Sequence, residues 1–97
     1  MNAVVKQPTH QLVVMTFDEI ECNKLQIAGD FNDWVPDRDI ETRKIKGYWQ
    51  KIFTAEPGIY EYQLRIDGNW QADPTNPTEI PNESGGVNSV LQVGPQH

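Results

Sequence analysis

Apolar and polar residues alternate most regularly between Gly58 and Trp70. A period of two residues predicts a half-buried β-strand with one face in the core. Asp67 and Gly68 follow this strand and can adopt the positive φ angles of a tight hairpin turn, so the chain should fold back through Trp70. This places a large aromatic side chain near a turn, at the surface of the domain. The alternating residues are Tyr60, Tyr62, Leu64 and Ile66 on the inward face and Glu61, Gln63 and Arg65 on the outward face.

Other segments have the composition of strands. The apolar segment Leu12 to Phe17 predicts a strand covered on more than one side and paired with the next strand through a polar hairpin loop. Trp49 and Phe53 should point inward from a later strand. Residues 30–43 and 71–86 are rich in Asn, Asp, Pro and Gly and predict loops, the second one stiffened by its prolines. Short strands without an amphipathic helix predict an all-β sandwich of six to eight antiparallel strands. The further strands are expected at Lys24–Ala28, Tyr48–Ala55 and Val87–Val93, with a very short one at Trp70.

Length and charge restrict the class of protein. A chain of 97 residues fits one domain, and we expect a flexible lead-in over 1–10, one β-sandwich over 11–94 and a tail at 95–97. The net charge of −6 and the scattered basic residues argue against nucleic acid and anionic membrane as partners. Cys22 is the single cysteine, which excludes an internal disulfide, and no apolar segment has the length of a signal peptide or membrane span. A cytoplasmic location is therefore expected.

The chain offers little catalytic chemistry. His10 and His97 lie in the predicted tails, so no spacing of a metal site, cofactor site or nucleophile is present, and we expect a protein that is not an enzyme. Asp30, Asn32 and Glu41 match three ligand positions of a calcium-binding loop, but Trp34 and Val35 replace an oxygen ligand and the required glycine. A solvated acidic loop is the preferred interpretation.

The tryptophans are the remaining signal. Trp49 lies in a predicted strand and has the usual core role. Trp34 and Trp70 lie in or beside turns among polar residues. Flat aromatic side chains next to amides suit sugar rings, which have an apolar C–H face and a rim of hydroxyls. From the residues alone, core or loop-anchor roles and ligand-binding roles both stay open for these two tryptophans.

Three ordered segments carry a resemblance to a known family. The chain is similar to the glycogen- and starch-binding modules of carbohydrate-binding module family 48, found in the β subunit of AMP-activated protein kinase and in front of branching and debranching enzymes such as isoamylase. The resemblance implies an immunoglobulin-like β-sandwich of the early-set type that binds α-1,4-linked glucans (glycogen, maltooligosaccharides or cyclodextrins) without cleaving them. The segments are LQIAGDFNDW (Leu25 to Trp34), PGIYEYQLRIDGNWQADP (Pro57 to Pro74) and GGVNSVLQV (Gly85 to Val93).

The resemblance also implies site residues. Trp34 and Trp70 match the two tryptophans that stack on the glucan, and Asn88 matches an asparagine that hydrogen-bonds sugar hydroxyls. The kinase-subunit modules have a lysine at the position of Gln63, so an amide would replace an ammonium as the sugar contact. On the rim they have a bulky apolar residue at the position of Ser84 and a threonine at Gly86, and both changes remove contact area.

Two alternatives stay open, and the departures at Ser84 and Gly86 favour the first. One is a protein-interaction or regulatory β-sandwich that has lost most of its affinity for sugar. The other is a fragment of a glycogen-processing enzyme, although the terminal GPQH does not resemble a linker to a catalytic barrel and Met1 is compatible with a stand-alone protein.

Overall fold

The computed structural model describes residues 10–94, and strands dominate this part of the chain. A short 3-10 helix, Asp30–Asn32, follows the second strand. In chain order the strands are β1 (Gln11–Asp18), β2 (Leu25–Gly29), β3 (Glu41–Ile45), β4 (Tyr48–Ala55), β5 (Gly58–Ile66), β6 (Asn69–Gln71), β7 (Glu79–Pro81) and β8 (Val87–Val93).

The strands form two antiparallel sheets packed as a sandwich. One sheet has the order β1-β4-β3, and the other has the order β2-β5-β8-β7 with β6 paired to β5. The predicted all-β, immunoglobulin-like sandwich with six to eight antiparallel strands is confirmed. β5 is central to the second sheet because it pairs with three strands, β2, β6 and β8.

The core lies between the two sheets. The predicted inward face of β5 is confirmed at Tyr62 and Leu64, which are fully buried, and Trp49 and Phe53 are also buried as predicted. Phe53, Ala55 and Val93 form a small second cluster. Each sheet contributes large side chains to the main cluster. That cluster consists of Phe17, Leu25, Ile27, Trp49, Tyr62 and Leu64.

Two predictions about β1 were wrong. β1 pairs with β4 along its whole length and β2 pairs with β5, so the segment between them crosses from one sheet to the other and is not a hairpin loop. β1 is also covered on one face only, because Leu12 and Val14 are 70% and 50% exposed while Phe17 is buried. The outward face of a two-layer sandwich has no second layer to cover it, so an apolar run need not be buried on both sides.

Two strands lie in or extend from segments that were predicted to be loops. β3 begins at Glu41 and β7 at Glu79, and every residue of both strands is exposed. Each pairs with a single neighbour, β4 and β8 respectively. An edge strand with two exposed faces needs no alternation of apolar and polar residues, so the sequence carries no periodic signal for it.

Residues 1–9 and 95–97 lie outside the described residues, and with them nearly all of the predicted lead-in and the whole predicted tail, including His97. His10 is exposed and precedes β1. Within residues 10–94, no helix has the length and apolar character needed to cross a membrane.

Candidate functional site

A cleft of about 1040 Å³ lies on the outward side of the five-stranded sheet. Trp34, Gln63, Trp70 and Asn88, which the family resemblance selected, all line it, and Ser84 lines it as well. Gly86 is not among the lining residues. Five further residues complete the lining: Asp30, Glu61, Pro81, Asn82 and Glu83.

A tight reversal after β2 brings Trp34 to the cleft. Asp33 and Trp34 both have left-handed backbone conformations, with φ of 55° and 59°. The Trp34 N–H donates to the carbonyl oxygen of Gly29 at 3.0 Å, which closes the reversal. A tryptophan with positive φ is rare and persists only where the surroundings hold it. The residue is 37% exposed, so this strained turn leaves part of the indole at the surface.

Asn32 and Gly29 stabilise this reversal from below. The Asn32 side chain is buried, accepts a hydrogen bond from the Gly29 N–H at 3.0 Å and donates to the Arg38 carbonyl oxygen at 3.2 Å. A Cβ atom at Gly29 would lie 2.6 Å from the Glu61 carbonyl oxygen and 2.7 Å from the Tyr62 Cβ. Asn32 is therefore a structural amide beneath the loop, although in the sequence it resembles a polar neighbour of Trp34.

An ion pair between a buried lysine and a partly exposed aspartate stabilises the far end of the same loop. The fully buried Lys51 ammonium lies 3.0 Å from each carboxylate oxygen of Asp37 and 2.7 Å from Thr42 Oγ1. Asp37 Oδ1 also accepts from the Ile27 N–H at 2.9 Å. Burial lowers the pKa of Lys51, and the Asp37 carboxylate opposes that shift. The sequence contained a sign that Lys51 is buried, because it lies between Trp49 and Phe53 on the inward face of β4.

The β5–β6 hairpin brings Trp70 to the cleft. Asp67 and Gly68 form its two-residue turn with φ of 48° and 88°, as the sequence predicted. Trp70 is 47% exposed and pairs across the hairpin with Arg65, whose guanidinium carbon lies 5.8 Å from the indole centroid. This cation–π contact and the hairpin geometry both restrict the indole before any ligand arrives.

A buried polar network holds the segment after β6 against the sheet. Tyr62 donates from its hydroxyl to Asp73 Oδ2 at 2.6 Å, and the Asp73 N–H donates to Ser89 Oγ at 2.7 Å. Asn76 Nδ2 donates to the Tyr62 hydroxyl at 3.1 Å. Burial raises the pKa of the Tyr62 hydroxyl well above its ordinary value, and the hydrogen bond to Asp73 raises it further. The network joins β5 and β8 to the chain that leads from Trp70 to the opposite wall of the cleft.

Amide side chains form the floor of the cleft. Asn88 Nδ2 donates to Glu61 Oε1 at 3.0 Å, and Asn88 Oδ1 accepts from Gln63 Nε2 at 3.0 Å and from Asn82 Nδ2 at 3.1 Å. Asn82 Oδ1 in turn accepts from the Gly86 N–H at 2.9 Å, so Gly86 contacts a lining residue without lining the cleft. Among the described residues, Gln63 Oε1 has no hydrogen-bond partner, which leaves an acceptor for a ligand hydroxyl.

The lining carries negative charge. It contains three carboxylates and no Lys, Arg or His. Arg65 is the nearby cation, and it lies over the ring of Trp70. Sequence reasoning considered Asp30 only as a calcium ligand and did not select Glu61 or Glu83, although Glu61 shares the outward face of β5 with Gln63 and so carried a usable signal. The three are Asp30, Glu61 and Glu83.

Within residues 10–94 the structure contains no cluster of side chains that could bind a calcium ion. Asp30 bonds to Trp34 and Glu61, and Glu41 pairs with Arg43 at 2.7 Å, so these side chains already have other contacts.

Cys22 is half-buried, and burial raises the pKa of its thiol. A raised pKa lowers the fraction of reactive thiolate at neutral pH.

A β-sandwich with two exposed tryptophans and an amide floor in one cleft has the features of a carbohydrate-binding module. A family model described as the glycogen recognition site of AMP-activated protein kinase matches residues 12–97. The chain belongs to this family, and the resemblance inferred from the three sequence segments is confirmed.

The chain is also similar to parts of several longer proteins. The chain is 26% identical over 83 residues to a phosphoglucan phosphatase, amyloplastic, of Castanea sativa, covering 86% of this chain and 22% of that protein. It is 39% identical over 57 residues to a 1,4-alpha-glucan branching enzyme of Salinibacter ruber, covering 57% of this chain and 9% of the enzyme. It is 26% identical over 70 residues to the AMP-activated protein kinase subunit beta-1 of Sus scrofa, covering 72% of this chain and 54% of the subunit. The chain thus spans from under a tenth to about half of these relatives.

Proposed function

We propose that this module binds α-1,4-linked glucan, such as glycogen or a maltooligosaccharide, by aromatic stacking and does not cleave it. One observation carries the proposal: Trp34 and Trp70, 37% and 47% exposed, line a single cleft together with Gln63 and Asn88. Membership of a glycogen-recognition family supports the ligand class.

The chemistry of the cleft suits a neutral sugar chain. The apolar face of a glucose ring covers an indole and removes apolar area from water. Sugar hydroxyls then need polar partners, because a buried hydroxyl without a hydrogen bond costs free energy. Gln63 Oε1 is available as an acceptor, and Asn88 Nδ2 uses one of its two hydrogens on Glu61.

The departures on the rim support a weak interaction. Ser84 offers little apolar area at a cleft position, and its N–H and hydroxyl both bond to Asn82 Oδ1 at 3.1 and 3.0 Å. Each lost contact of about 1 kcal/mol lowers affinity several-fold. The module is therefore a modest or marginal binder.

A titration of tryptophan fluorescence with maltoheptaose and β-cyclodextrin tests the proposal, with cellohexaose as the control for linkage. We expect a saturable change with the α-linked sugars alone. A folded protein that shows no response at millimolar sugar would contradict the proposal.

A second candidate function is a protein-interaction or regulatory domain. Its support is the outward face of β1, where Leu12 and Val14 are 70% and 50% exposed. This face lies on the other sheet from the cleft, so the two functions can be tested separately. Absence of a sugar response, combined with loss of a partner on Leu12→Asp, would favour this candidate.

A further inference from the structure

Asp30 links the backbone of β5 to the indole of Trp34. Its Oδ1 atom accepts a hydrogen bond from Trp34 Nε1 at 3.0 Å, and its Oδ2 atom accepts from the Glu61 N–H at 2.8 Å. One carboxylate therefore bridges two groups that are far apart in the chain. Hydrogen bonds to an ionised acceptor are stronger than those between neutral groups, so this carboxylate is well suited to hold the Trp34 side chain in place.

The bridge lies where regular pairing stops. The ladder between β2 and β5 ends with Gly29 opposite Tyr62, and the chain then leaves the sheet for the 3-10 helix Asp30–Asn32. The Asp30 side chain extends the pairing by one residue. Its carboxylate accepts the hydrogen bond from the Glu61 N–H, which a backbone carbonyl oxygen would accept in a regular ladder. The carboxylate position is thus set by the central strand of the sheet.

Trp34 depends on such support because its own backbone is strained. Asp33 and Trp34 both have positive φ, and the indole is partly exposed. Backbone bonds fix the turn but leave the side-chain torsions free, whereas a bond to Nε1 restricts them. An aromatic surface that is already oriented loses less conformational entropy on binding.

We propose that Asp30 is a positioning residue, which holds the indole of Trp34 in the orientation that stacks on glucan. This rests on the proposed function of the cleft. The Nε1–H is committed to Asp30, so Trp34 contributes its ring face, while hydrogen bonding to the sugar falls to the amides on the floor. Asp30 acts on affinity through Trp34.

The test compares Asp30→Ala with Asp33→Asn. The second variant removes a neighbouring carboxylate whose one contact within residues 10–94 is Arg38, at 3.2 Å, and asparagine tolerates the left-handed conformation of that position. We expect Asp30→Ala to weaken maltoheptaose binding about 3- to 5-fold, at most the loss expected on removing the Trp34 indole through which it acts, and Asp33→Asn to change it less than about twofold. Equal binding by Asp30→Ala and wild type would overturn the proposal.

Two further measurements separate positioning from a general effect on the fold. The indole Nε1–H resonance of Trp34 in a ¹H–¹⁵N spectrum should shift and exchange faster with water in Asp30→Ala, even without sugar. In a Trp34→Phe background, which keeps an aromatic ring but has no N–H, Asp30→Ala should have little additional effect on binding. An unchanged resonance, or the same loss of binding in both backgrounds, would contradict the proposal.

Asp30→Asn is the alternative should Asp30→Ala fail to fold. Its amide keeps the shape of the carboxylate but satisfies only one of the two N–H donors, and the expected changes in resonance and affinity have the same direction. If the wild-type protein does not bind maltoheptaose, the proposed function fails, while the resonance measurement still decides the bridge between Asp30 and Trp34.

Discussion

Replacing Trp70 by alanine should weaken glucan binding about tenfold and leave the fold intact. A tryptophan side chain buries up to about 250 Å², so a residue that is 47% exposed has roughly 100 Å² left for a ligand. A sugar ring stacks on one face and covers about half of that area. At about 25 cal/mol per Å², the loss is roughly 1.3 kcal/mol, or about tenfold in affinity. Trp34 is 37% exposed, and the same reasoning gives a loss of about fivefold for Trp34→Ala.

Calorimetric titration with maltoheptaose measures these losses, and thermal unfolding followed by circular dichroism checks each variant. Leu12→Ala is the matched control, since Leu12 is 70% exposed on the other sheet. It should bind as wild type does. Wild-type affinity in Trp70→Ala would refute stacking on this residue, and an equal loss in Leu12→Ala would show that the effect is not local to the cleft. Loss of folding in Trp70→Ala would assign the residue to the structure of the hairpin.

Three shorter predictions concern the support of the cleft and its charge. Tyr62→Phe removes the hydroxyl bond to Asp73 and should cost about 1–3 kcal/mol of unfolding free energy in denaturant titrations. Because folding raises the pKa of Tyr62 above its ordinary value of 10.0, its contribution is complete below pH 10 and is lost as the pH rises further. Wild-type stability should therefore fall more steeply above pH 10 than that of Tyr62→Phe, and parallel curves would contradict this. Gly29→Ala inserts a Cβ 2.6 Å from a backbone oxygen, so thermal unfolding should show a loss of about 1–3 kcal/mol or more, and an unchanged melting temperature would show that the contact relaxes. The acidic lining should make the affinity for a phosphate-bearing oligosaccharide lower than that for its phosphatase-treated form at low salt. This difference in affinity should shrink in 0.5 M salt and in the double variant Glu61→Gln with Glu83→Gln. Equal affinity for both forms at low salt would contradict it.

Prediction from the sequence succeeded where a local pattern has one physical cause. The alternation in β5 and the Asp67-Gly68 turn each follow from short-range geometry, and both are observed. The partner of β1 was wrong because adjacency in the chain does not determine which sheet a strand joins. In this sandwich the pairing of β1 with β4 places Phe17 opposite Trp49, so long-range packing decides the partner.

The site was partly predictable for the same reason. The polar neighbours of Trp34 and Trp70 indicated exposure, and both indoles are exposed. The polar sequence around Trp34 would also predict that Asn32 is exposed, but Asn32 is buried beneath the loop. This polarity does not indicate that Asp30 contacts the indole of Trp34. The contact between Asp30 and Glu61 joins residues 31 positions apart, and no local pattern encodes such a pair.

The residues of this cleft differ in how firmly they are held in the fold. Within residues 10–94 the Gln63 side chain bonds only to Val87 and Asn88, so a change there should have little effect on the sandwich. Gly29 and Asp73 are packed or bonded into the core, so changes there alter the fold and the cleft together. A β-sandwich of this kind can therefore gain or lose affinity for glucan through substitutions on its outward face while its core stays the same.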